Sequence, residues 1–87
     1  MTIKDTDKLA AYAALAGPAI VDHGGKFLAR GGETVSLEGF QQSRVVVTEF
    51  PDLQSAVNCY KSEAYQRALE KLDGGVERDI CVVEGLT

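Results

Sequence analysis

The single histidine of this chain, His23, stands in IVDHGGKFLARGG, residues 20–32, where a helix-like run gives way to two glycine pairs. An imidazole titrates close to neutral pH and can move a proton or hydrogen-bond a carbonyl. Glycines beside it let a ligand approach the backbone closely. The same position has a plainer use, because a protonated imidazole at a helix C-terminus gains about 0.3–1 kcal/mol from the helix dipole. Both readings stand at this point. Arg30 closes KFLAR and Arg44 opens RVVVTEF. Paired as a hairpin, these two segments bring both guanidiniums to one rim of a sheet, where they can hold a carboxylate bidentately. The alternative is pairing with Glu33, Glu38, Glu49 or Glu84. Glu49 and Glu84 each follow an apolar run and share the facing of Val45/Val47 and Ile80/Val82. A carboxylate so placed is either salt-bridged or raised in pKa, which makes the two a candidate acid/base pair. Tyr65 is read as a core ring with a polar tip available to a ligand, and Ser62 as a helix cap.

Several chemistries find no support. The glycine pairs match neither G-x-G-x-x-G nor a Walker loop, and there is no nucleophile elbow or H-E-x-x-H. Cys59 and Cys81 form no C-x-x-C, and with one histidine they cannot supply the usual zinc sets, so no metal and no cofactor are expected. Both cysteines are expected as small buried residues of a reducing compartment. The net charge of −4 argues against nucleic acid, which calls for a basic stripe. Leu9–Val21 is too short to span a bilayer, no polybasic run marks a membrane surface, and the start lacks a basic signal region. The expectation is a cytoplasmic protein with a small-molecule ligand.

These residues need elements to position them. The chain has 87 residues, enough for one domain spanning 1–87 and a modest core. Asp5 caps a helix whose stripe is Leu9, Tyr12, Ala13, Ala16, Ile20 and His23, with a bend expected at Pro18 and a stop at Gly24 or Gly25. KFLAR reads as a strand, SRVVVTEF as the strongest strand, bounded by Gln41-Gln42 and Pro51. Asp52 caps a second helix carrying Leu53, Ala56, Val57 and Tyr60. Ser62 caps a third carrying Tyr65, Ala68, Leu69 and Leu72, closed by Asp73-Gly74-Gly75. RDICVVEG is the expected last strand, and MTIK a vestigial first one. The order predicts an α+β sandwich with helices on one face of an antiparallel sheet. Val45 and Val47 point one way, Val46 and Phe50 the other, and the last strand repeats this. Strands apolar on both faces need both covered, which predicts a homodimer packed sheet to sheet.

The segments AGPAIVDHGGKFLARGGE, LEG, SRVVVTEFPDLQSAVNCYKSEAYQ and RDICVVEG together resemble the domain-of-unknown-function family numbered 1330, over Tyr12 to Gly85. The resemblance implies a ferredoxin-like β-α-β-β-α-β unit that dimerises into an α+β barrel. Such barrels include cofactor-free and haem-dependent oxygenases, lactone isomerases and effector-binding domains, so fold does not give function. The implied reading is a pocket between helices and sheet for an anionic or carbonyl-bearing molecule. His23 would be its catalytic residue, with Arg30, Arg44, Glu49, Tyr65 and Glu84 around it, in a cofactor-free isomerase or oxygenase-like enzyme. The alternative is a non-catalytic structural or interaction module. One departure stands out: members usually open with a full strand, whereas only MTIKDTD precedes the first helix here. In that topology the first strand lies between the third and the last, so a stub pairs briefly with both and leaves strand edges exposed. The short start reads as a truncation.

Overall fold

The computed structural model describes residues 1–39 and 44–86; Gln41 and Gln42, expected before the strongest strand, and its Ser43 lie outside them. Helix α1, Thr6–Asp22, starts at Asp5, whose carboxylate accepts from the amides of Asp7 and Lys8. It runs through Pro18, where only the bond to the Ala14 carbonyl is lost. Gly24, at φ +82°, and Gly25 end it. Gly25 donates to the Ile20 carbonyl at 2.8 Å. A Cβ there would collide with the Ile20 side chain and lie 2.8 Å from the Ile20 carbonyl oxygen and 3.0 Å from the Phe50 ring. The first glycine pair is therefore a helix stop packed hard against its surroundings. Helix α2, Leu53–Lys61, is capped by Asp52. Ser62 separates it from α3, Glu63–Leu72: its hydroxyl donates to the Cys59 carbonyl and accepts from the Tyr65 amide. One side chain closes one helix and opens the next.

The helices meet through small residues. Ala16, Ala19, Cys59, Tyr65 and Ala68 form the buried cluster, with Tyr12, Ile20, Phe50 and Leu69 packed around it. Alanines at the α1–α3 contact let the two backbones approach closely, at the expense of apolar area per residue.

Below the helices lie two short antiparallel ladders. Strand β1, Thr2–Ile3, pairs with β4, Val76–Glu77. Strand β2, Lys26–Arg30, pairs with β3, Val46–Glu49, with a register shift between Phe27 and Ala29. The two ladders are separate two-stranded sheets, β1-β4 and β2-β3, and the Met1 ammonium donates to the Arg44 carbonyl at 3.3 Å between them. The molecule is thus α+β, three helices with two small antiparallel sheets, and matches a ferredoxin-like type of fold. The first strand is the stub expected of it.

Two expectations need correction. RDICVVEG does not form a strand: β4 is Val76–Glu77, and residues 78–86 join no ladder. A strand needs a neighbour for its amides and carbonyls, and β1 extends no further along that side. Cys81 is consequently exposed, while Cys59 alone is buried. The surface carries the same signature. A folded monomer of this mass exposes about 5000 Å², whereas this chain exposes 6449 Å².

Gly25→Ala is expected to cost about 1–3 kcal/mol by overpacking. Gly32→Ala, whose Cβ would meet nothing within 4 Å, should cost far less. Urea denaturation of the two variants gives both values, and equal losses would show that the close packing at Gly25 is not felt.

Candidate functional site

Helices and strands enclose a cleft of about 2090 Å³, walled by α1 and α2 on one side, by β3 on another, and by the segment 78–86 opposite β3. At the end of the cleft where Met1 lies, three side chains from distant parts of the sequence converge. Tyr12 of α1 and Tyr65 of α3 hydrogen-bond through their hydroxyls, with rings edge to face at 5.9 Å. Arg78, just beyond β4, donates through Nη1 to the Tyr12 hydroxyl at 3.2 Å and through Nη2 to the Tyr65 hydroxyl at 3.4 Å. Its guanidinium lies 5.0 Å from the centre of the Tyr12 ring.

The electrostatics follow from burial and from these bonds. Burial pushes the Tyr65 phenol well above its ordinary range, and the hydrogen bond with Tyr12 adds to this. Tyr65 is therefore a proton donor at any physiological pH and not a base. Burial works against the charge of Arg78, but its bonds to the Tyr12 and Tyr65 oxygens outweigh that and hold the guanidinium charged. Among the described residues no carboxylate pairs with it.

The sequence-derived candidates divide. Arg30, Arg44, Glu49, Tyr65 and Glu84 all line the cleft. The Arg30 guanidinium stacks 4.2 Å from the centre of the Phe27 ring and lies 3.7 Å from the point where a Gly17 Cβ would stand. Arg44 lays its guanidinium over Gly31, whose φ of +75° favours glycine. Its Nε is buried without a partner among the described residues. Neither arginine forms an ion pair with a described carboxylate. Glu49 is exposed on the face of Val45 and Val47, opposite Phe50, and Glu84 is exposed on the far flank. His23 stands apart as the C-cap of α1, with Nδ1 2.8 Å from the Ala19 carbonyl, and it does not line the cleft.

Sequence reasoning missed Arg78 and half of the tyrosine pair. Tyr12 lay on the apolar stripe of the first helix and was taken only as packing. Arg78 began a segment read as a strand. The only available signal was an arginine at the head of an otherwise apolar run, without a nearby spacing to tie it to either tyrosine.

The family model described as Domain of unknown function (DUF1330) matches residues 1–86. Among solved structures the chain is similar to RPA0582, a protein of unknown function from Rhodopseudomonas palustris. The two are 24% identical with a TM-score of 0.73, and the match covers 94% of this chain and 66% of that one. The chain thus spans just under two thirds of that protein, and the likeness speaks for the fold alone. Curated proteins yield no match. No helix among the described residues is long and apolar enough to cross a membrane.

The buried phenol gives a test of this geometry. An unfolded tyrosine ionises near pH 10. Above that pH the unfolded chain releases a proton that folded Tyr65 keeps, so this contribution to stability is full below about pH 10 and is lost as pH rises further. Melting temperature should fall steeply between about pH 10 and 11, and Tyr65→Phe should flatten that fall. An unchanged slope in the variant would place the alkaline sensitivity elsewhere.

Proposed function

The chain belongs to the DUF1330 family, and on that premise we propose that it binds a small carboxylate- or carbonyl-bearing molecule at the Met1 end of its cleft. The observation that carries this reading is Arg78: half-buried, bonded among the described residues to two phenol hydroxyls, and lining a cleft that Arg30 and Arg44 also line. A guanidinium removed from water without a counter-ion is strongly favoured by an incoming anion, and a charge-assisted pair in such a place exceeds a surface pair in strength. The Tyr12 and Tyr65 hydroxyls bond to each other, which leaves one O–H of the pair to donate beside it. Together these groups would hold a carboxylate, or the oxygen of a carbonyl as it gains charge. That second use is the step that cofactor-free isomerases and oxygenase-like enzymes need, and it extends the proposal to such a reaction. Glu49 and Glu84 line the cleft several residues along their flanks from the Met1 end, so neither acts as base on a small molecule held at Arg78. His23 takes no part, since its Nδ1 faces a backbone carbonyl outside the cleft.

The proposed working form is a cytoplasmic homodimer. Val45 and Val47, on the sheet face away from the helices, are exposed in the single chain. The surface beyond what its mass calls for exceeds the roughly 800 Å² that each partner covers in a standard interface. Light scattering at micromolar concentration should give twice the chain mass, and a stable monomer there rules the dimer out.

A thermal-shift series with small mono- and dicarboxylates tests the site. A ligand at 100 times its Kd stabilises the fold by about 2.7 kcal/mol. The shift is expected in wild type and in His23→Ala, and to be lost in Arg78→Gln. Loss in His23→Ala with retention in Arg78→Gln would move the site to the helix end.

A further inference from the structure

The hydroxyls of Tyr12 and Tyr65 bond to each other, and their surroundings decide which of them donates. Tyr65 is buried, at 4% exposure, and among the described residues its hydroxyl meets only Tyr12 and Arg78. Arginine offers donors and no acceptor. The Tyr65 proton therefore has one place to go, the Tyr12 oxygen, because a buried O–H without an acceptor is costly. Burial also keeps that proton on Tyr65 at any physiological pH. Tyr12 then accepts twice, from Tyr65 and from Nη1 of Arg78 at 3.2 Å, and both lone pairs of its oxygen are used. Its own O–H is the one left over. Tyr12 is only half-buried and lines the cleft with Arg78, so this O–H is the one within reach of a ligand.

The cluster thus presents a fixed set of groups. The phenols take two N–H groups of Arg78, and the others remain for a carboxylate. The Tyr12 O–H stands next to them as a neutral donor. The Tyr12 oxygen has no lone pair to give in return. A ligand group that only accepts fits here, whereas a hydroxyl leaves its own proton unpaired. A plain carboxylate reaches both Arg78 and Tyr12 only by dividing its two oxygens between them, which gives up bidentate pairing with the guanidinium. A carboxylate with a carbonyl on the next carbon keeps both contacts.

We propose that the site selects 2-oxo acids, with the carboxylate on Arg78 and the adjacent carbonyl oxygen accepting the Tyr12 O–H. Tyr65 is a positioning residue: it touches no ligand and turns the Tyr12 proton outward. The inference rests on the reading of Arg78 as an anion site and names the class of anion that the site takes.

Calorimetric titration of the full chain with pyruvate, lactate and propionate tests it, since these acids differ only at the second carbon. Pyruvate should bind about fivefold more tightly than either of the others, the worth of one hydrogen bond. Tyr12→Phe should erase that preference and keep the binding of propionate. Tyr65→Phe should weaken all three acids and keep the preference. Melting curves show whether each variant is folded. In the wild-type chain, pyruvate should shift tyrosine absorbance to the red and propionate should shift it less, a reading of the Tyr12 O–H that needs no variant. If the three acids bind alike and all are lost in Arg78→Gln, the anion site stands and the 2-oxo class falls. If Arg78→Gln binds them as wild type does, both readings fall together. Lactate equal to pyruvate removes the carbonyl requirement and overturns the proposal. So does a preference that survives Tyr12→Phe and disappears in Tyr65→Phe, which would reverse the hydrogen bond.

Discussion

The approach of α1 to α3 is the contact on which the remaining architecture rests. It is made by alanines, and alanine contributes closeness rather than area. The consequence runs outward from there. Close helix axes bring Tyr12 and Tyr65 edge to edge, and their hydroxyls into one hydrogen bond. That bonded pair is the surface on which Arg78 lands, and Arg78 ties the segment after β4 to the helical layer. Replace the alanines by larger residues and the tyrosines separate. The Tyr12–Tyr65–Arg78 cluster is thus a by-product of how tightly two helices pack, not of any local sequence motif.

The strand layer obeys a different constraint. Backbone amides and carbonyls beside an apolar interior need partners, and two two-residue and four-to-five-residue ladders supply few of them. Helix packing alone leaves valines of β3 and of 79–84 half in water, which is why the chain exposes more surface than its mass requires. The helical layer is complete in itself. The strand layer leaves apolar side chains exposed along both of its flanks.

Local signals in the sequence were strong and were read correctly. Asp5, Asp52 and Ser62 cap the three helices because short polar side chains satisfy free amides only at helix starts. Gly24 ends α1 because its positive φ suits no other residue as well. The short first strand expected at MTIK is present as Thr2–Ile3, and the strand at KFLAR pairs with the valine run as the hairpin reading expects. What the sequence hid was pairing at long range. RDICVVEG has the composition of a strand, but composition does not supply a neighbour, so the segment stays outside any ladder and Cys81 is exposed. Arg78 and Tyr12 are 66 positions apart, and no periodicity joins them. Of the candidate site residues, those on strand flanks were found together in the cleft because hairpin geometry is local. His23 stands at the end of its own helix, with its Nδ1 against the Ala19 carbonyl.

The pairing of Ile3 with Val76 has a consequence of its own. It closes nearly the whole chain into one loop, and closure entropy rises with loop length. A ladder two residues long must offset that cost, aided by an exposed Lys4–Glu77 ion pair that contributes little. The two ends of the chain therefore form the least stable unit of the fold, able to come apart while α1 and α3 stay packed. Arg78 and the wall of the cleft belong to that unit. Opening of that unit would also release Arg78 from the two tyrosines, so a ligand held at the proposed anion site would act as a clasp between the first and last strands, its residence time bounded by how often they fray.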